Sequence, residues 1–199
     1  RDTPDTEGGV IVRDADGNPT GVFQQRASAL ITSKIPEATI AELEERYLAA
    51  MAVANAYGLT SSLDPGLSPS AIQALQRLHD ADKMTMRLAV MFAPAANGTP
   101  ADFENEVRGI GVASGFGNEW LKIDAIGEMI ADGGMTFRTA FTREHYHDDA
   151  TYHGVPSTSK ERLMSNVSIG NRLGWRFSIH SVGDAAIDWV PDAYEAADK

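Results

Sequence analysis

Short apolar runs alternate along this chain with longer amphipathic ones, and no other feature constrains the fold as strongly. The first amphipathic segment is expected as a helix from about Thr39 to Tyr57. Thr39 and Glu42 form a capping box there, and Ile40, Leu43, Tyr47, Met51 and Ala54 make one apolar face. Strands are expected at about 59–63, 85–92, 120–126 and 175–180. The helices between them open at Ser68-Pro69, at Thr99-Pro100 and at Ser157, and a last one runs from Ala185 to Ala197. An order of α-β-α-β-α-β-loop-α-β-α argues for parallel strands joined by right-handed crossovers. Four such strands make an open sheet or half of an eight-stranded barrel. The chain begins at Arg1 without a methionine, which suggests a piece of a longer polypeptide and favours the half barrel.

Residues 1–35 read as an opening hairpin segment, because Gly9 to Arg13 and Gly21 to Gln24 flank the turn formers Asp14-Ala-Asp-Gly-Asn18. Residues 36–199 are then expected to form one structural domain, the partial (β/α) barrel. A long loop rich in Gly, Thr and His occupies roughly 127–156, a length that is uncommon in a compact domain without a role.

Composition narrows the partners. With a net charge of −11, the chain lacks the clustered Lys and Arg that a nucleic-acid or anionic-membrane surface needs. No apolar run approaches the ~18 residues of a membrane span, and no signal-peptide pattern opens the chain, so a cytoplasmic location is expected over a secreted one. There are no cysteines, so a metal would have to take histidine, carboxylate or modified lysine as ligands.

Four charged or imidazole side chains are expected at or just past strand ends, where parallel α/β folds present their ligand groups: Asp64, Lys122, Asp124 and His180. Lys122 and Asp124 share one strand face, opposite Leu121 and Ile123. An ammonium inside a barrel is costly unless paired or chemically altered, so Lys122 is either a snorkelling edge residue or a functional group. His180 alone suits a hydrogen-bonded core position as well as a metal site. Asp184 reads as the N-cap of the last helix, fixing the turn that carries His180. His145 and His147 make a His-x-His in a polar loop and are secondary candidates for metal or substrate. Gly109 to Gly115 imitates a dinucleotide fingerprint with the wrong spacing and context. Ser61, Ser62 and Ser181 lack a nucleophile elbow.

The stretch His180-Ser-Val-Gly-Asp184 resembles the His-Ala-x-Gly-Asp-x-Ala signature of amidohydrolase family 3, the group that includes N-substituted formamide deformylase. Gly8 to Gly21 is similar to that family's Gly-Gly-x-Ile-x-Arg-Asp segment, and Gly58-Leu-Thr60 to one of its strands. Leu121-Lys122-Ile123 with Asp132-Gly133 and Thr139-Ala140 is similar to its Val-Lys…Asp-Gly…Thr-Ala block, though the spacing from Lys122 to Asp132 is longer than the usual pattern.

The resemblance implies a hydrolase of amide-type C–N bonds on a TIM-type (β/α)8 barrel, acting on a small molecule. It also implies a divalent metal, usually zinc, as one or two ions. Carried over, Lys122 becomes the fourth-strand metal ligand, with its amine carboxylated, and His180 the fifth-strand ligand. The expected fold class is therefore α/β, with parallel (β/α) units making about half of such a barrel behind a hairpin flap. Two other readings stand beside it. One is a catalytically inactive half barrel that self-associates into a homo-oligomer through its open strand edges; the other is a small-molecule-binding α/β domain without metal.

Overall fold

The structure is a computed structural model and describes residues 2–94 and 98–198. Its elements run β1 (Gly9–Arg13), β2 (Pro19–Gln25), α1 (Ala29–Thr32), α2 (Ile40–Ala56), β3 (Ser61–Leu67), α3 (Pro69–Asp80) and β4 (Arg87–Phe92). Then come α4 (Pro100–Gly109), β5 (Leu121–Ile130), α5 (Lys160–Arg172), β6 (Phe177–His180) and α6 (Asp184–Ala197). β1 and β2 form an antiparallel hairpin, and the other strands form one four-stranded sheet in the order β3-β4-β5-β6. β3 pairs with β4 and β4 with β5 in parallel. The expected α/β class is therefore borne out, with (β/α) units making about half the complement of a TIM-type barrel behind a hairpin.

Local chemistry accounts for the helix starts. The Thr39 hydroxyl accepts from the Glu42 amide while the Glu42 carboxylate accepts from the Thr39 amide, the box expected from sequence. Thr99 and Asp102 build a second box at α4, and Ser68 caps α3 with proline in its first turn. Each satisfies amides that the first helical turn leaves without an intrahelical partner.

The described residues divide into two compact units, and the chain passes between them more than once. The first comprises Arg1–Pro36, Ile130–Ser168 and Ile179–Lys199; the second comprises Glu37–Met129 and Ile169–Ser178. The second unit is organised on an apolar cluster of Leu75 and Leu78 from α3, Val90 from β4, Val107 from α4, and Ile123 and Ile126 from β5. Trp175, before β6, belongs to the same cluster. The first unit buries Ile11, Ala131, Leu163, Val167, Ala186 and Ala193, and packs Phe141 against Trp189 in a tilted pair with ring centroids 5.3 Å apart.

The structure corrects two strand ends. β3 does not stop before Asp64 but continues to Leu67, with Asp64 paired to Val90. β5 runs to Ile130, four residues past its expected end. The physical reason lies at Gly127, where a Cβ would stand 2.9 Å from Ser178 Cβ. Only a residue without a side chain lets the strand continue past that point. No helix among the described residues is long and apolar enough to cross a membrane.

Candidate functional site

In the first unit, His180 is the last residue of β6, half-buried, and its carbonyl accepts the Ala131 amide at 2.9 Å. The turn after it is held from beneath by Asp132, whose side chain is fully buried. Asp132 Oδ1 accepts the Val182 amide at 2.9 Å, and Oδ2 accepts the amides of Gly183 at 2.8 Å and Phe141 at 2.6 Å. Three backbone donors thus converge on one carboxylate, which meets the requirement that a buried charge be hydrogen-bonded. The close approach also explains Gly183, where a Cβ would fall 1.9 Å from the Phe141 carbonyl oxygen.

A second buried node adjoins the first. Gln25 Nε2 donates to the Thr139 hydroxyl at 2.7 Å, and the Gly134 amide donates to the same oxygen at 3.1 Å. The Ser157 hydroxyl donates to Gln25 Oε1 at 3.2 Å. The end of the hairpin is therefore tied to Thr139 within the long loop and to Ser157 near its C-terminal end. Gly133 is required there, since a Cβ would lie 1.9 Å from Gln25 Nε2.

The loop is also built on Arg138. Its guanidinium lies 5.4 Å and 5.7 Å from the ring centroids of Tyr146 and Tyr152 and pairs with Asp148 at 2.9 Å. Partial burial pushes both phenols above their usual range. His145 and His147 are exposed on this loop; the His145 ring packs against His153 in a tilted pair with centroids 4.0 Å apart.

Asp184 is not the N-cap. Gly183 occupies that position and Asp184 is the first helical residue. Its carboxylate accepts the Arg143 and Ala185 amides, each at 2.9 Å, so it joins the loop to α6 and complements the helix dipole. Arg143 pairs with Asp188 one turn later, which raises the guanidinium's pKa and holds the Asp188 carboxyl below the ordinary range.

The remaining candidates belong to the second unit, and none ends its strand as expected. Lys122 and Asp124 are the second and fourth residues of β5, near its N-terminal end. Parallel sheets present their ligand groups at the opposite end. Asp124 pairs with Arg176 at 3.0 Å. Asp64 is hydrogen-bonded to Tyr47 of α2; burial raises its carboxyl above the usual range, against the lowering effect of that bond. Burial first, and the neighbouring Asp64 charge second, push the Tyr47 phenol up to about 12.

The sequence marks Asp132 only as part of a motif, and its role in holding three backbone amides has no local signal. Among the described residues, no group of three or more His, Cys, Asp or Glu side chains is placed to hold a metal ion. The donors present therefore do not amount to a metal centre by themselves.

Comparison with known proteins agrees with the signature around His180. The chain is 28% identical to the putative amidohydrolase YtcJ of Bacillus subtilis over 98% of its own length and 36% of that protein's. It is 27% identical to the protein LONG AFTER FAR-RED 3 of Arabidopsis thaliana, over 98% of this chain and 34% of the relative. It therefore spans about a third of the length of these relatives. Two crystal structures share its fold, both described as uncharacterized metal-dependent hydrolases. The one from Pyrococcus horikoshii superposes with a TM-score of 0.71 at 23% identity, covering 93% of this chain and 37% of that one. The one from Pyrococcus furiosus gives 0.70 at 22% identity, covering 90% and 37%. The profile of the amidohydrolase family matches residues 1–199, and the chain belongs to that family.

Proposed function

We propose that this chain is part of a metal-dependent hydrolase of amide-type C–N bonds in small molecules, and that His180 is one ligand of its divalent metal, zinc. The observation that carries the reading is the placement of His180 at the C-terminal end of β6, before a turn anchored by the buried Asp132. Family membership and the metal-dependent hydrolases that share the fold support it. A metal supplies such enzymes with an activated water and a Lewis acid for the scissile carbonyl. This chain's own contribution is to hold one imidazole in place, since Asp132 fixes the backbone on the C-terminal side of His180. The other ligands are assigned to the additional length that the relatives possess. Lys122 is not among them in this reading, because it lies early in β5.

Elemental analysis of the full-length protein tests the assignment. His180→Ala is expected to lose most of the bound zinc, whereas Lys122→Met keeps it. Unchanged metal content in the His180 variant would overturn the proposal.

A further inference from the structure

β5 and β6 are neighbours in the sheet, and the long loop leaves β5 at its C-terminal end. The Ala131 amide, one residue past β5, donates to the carbonyl of His180, the last residue of β6. Both residues belong to the first unit. The opening turn of the loop, residues 133–139, therefore starts at the sheet end where (β/α) folds gather their ligand groups. Backbone bonds close it: the Gly133 amide donates to the Thr139 carbonyl at 3.1 Å, Thr139 to Gly134 at 3.0 Å and Arg138 to Met135 at 2.9 Å.

At its tip this closed turn exposes two large apolar side chains, Met135 at 57% and Phe137 at 73%. Contacts place both of them. The Phe137 ring lies over Gly134, where a Cβ would stand 3.4 Å from its Cδ2, and the Met135 sulfur stands 4.0 Å from the Tyr146 hydroxyl. Arg138, the next residue, has a φ of 56°, a left-handed conformation that costs a residue with a side chain. The Tyr152 hydroxyl holds it there by donating to the Arg138 carbonyl at 2.6 Å. Strain persists only where such contacts impose it, and it clusters at ligand sites. Two neighbouring apolar side chains fixed outside the core point the same way.

We propose that Met135 and Phe137 form the apolar subsite for the substrate, and that the substrate is an amide bearing an aromatic or branched alkyl substituent. The inference rests on the hydrolase reading and deepens it. A phenyl ring packs on a second ring and a thioether meets a ring edge, so the pair favours an aryl group over a polar one. Arg138 is the one charged residue of the turn, and its guanidinium is committed to Asp148 and the two tyrosine rings. The subsite therefore suits a neutral substituent.

The test is methyl NMR on the full-length protein labelled at its methionine methyl groups, titrated with benzylacetone and, separately, with acetone. Both carry the carbonyl of an amide substrate without its scissile bond, and only the first carries a ring. Benzylacetone is expected to shift the Met135 methyl saturably and to bind about tenfold more tightly than acetone, the scale of a partly buried ring. Phe137→Ala is expected to remove that advantage, whereas Phe137→Trp, which keeps an aromatic face, retains it. No Met135 shift up to ~10 mM, a level that detects even millimolar affinity, overturns the proposal. So does equal affinity for the two ketones, or benzylacetone binding unchanged by Phe137→Ala. Zinc content of the same sample separates the two readings. Bound zinc without a Met135 shift sinks the subsite alone, and a Met135 shift without zinc sinks the metal assignment alone.

Discussion

Replacing Asp132 by alanine removes the acceptors of three backbone amides at once: Phe141, Val182 and Gly183. Each hydrogen bond to a charged group contributes about 1.5–3 kcal/mol, and a buried donor left unpaired costs about 1–3 kcal/mol. The three donors differ in what happens next. Gly183 is buried and cannot recruit water, Phe141 is half-buried, and Val182 is exposed enough to be rehydrated. Weighting them accordingly gives a loss of roughly 4 kcal/mol, a large share of the ~5–15 kcal/mol that stabilises a typical domain.

Asp132→Asn keeps one oxygen and turns an NH2 group towards an amide donor, so roughly half that loss is expected. Urea unfolding measures both, followed by the fluorescence of the three tryptophans, of which Trp189 packs against Phe141 in the first unit. Amide exchange locates the effect, because the Phe141 and Gly183 amides should exchange faster well before the rest of the unit opens. An alanine variant within ~0.5 kcal/mol of the parent, with both amides still protected, refutes the argument that this carboxylate holds the turn after His180.

Two further outcomes follow from the geometry. Gly183→Ala drives a methyl group onto the Phe141 carbonyl and should cost about 1–3 kcal/mol as an overpacked site; an unchanged melting temperature refutes it. Tyr47 carries a pKa raised from 10.0 to about 12, so the unfolded chain releases this proton first as pH rises. Its contribution to stability is complete below pH 10 and is lost as pH climbs through about 12. Tyr47→Phe should flatten the alkaline limb of the stability curve, and a limb of unchanged slope counts against the assignment.

The sequence displayed the fold through its alternating periods and the Thr39–Glu42 box, because those signals are local and each has one physical cause. His180 was legible for the same reason: an imidazole closing a short apolar run before Gly-Asp has few structural contexts. β5 was harder. Glycine followed by glutamate imitates a strand end, and only the approach of Ser178 shows why Gly127 belongs inside a strand. Lys122 lies early in the strand by either boundary, so the shorter strand only brought its C-terminal end nearer. Asp132 was illegible for a deeper reason. All three of its partners are backbone amides, so no complementary side chain elsewhere in the sequence advertises its role.

The division into two units has a consequence for how this chain can be handled and how it folds. Three of the four passages between them fall inside an element, at 129/130 in β5, 168/169 in α5 and 178/179 in β6. No single cut yields either unit, and a truncation at any of those points severs a strand or helix that both require. The first unit also cannot close until residues 37–129 have been spanned, which places a loop-closure cost early in folding. Interleaving of this kind makes each unit a mosaic: neither is written in one continuous stretch of the chain.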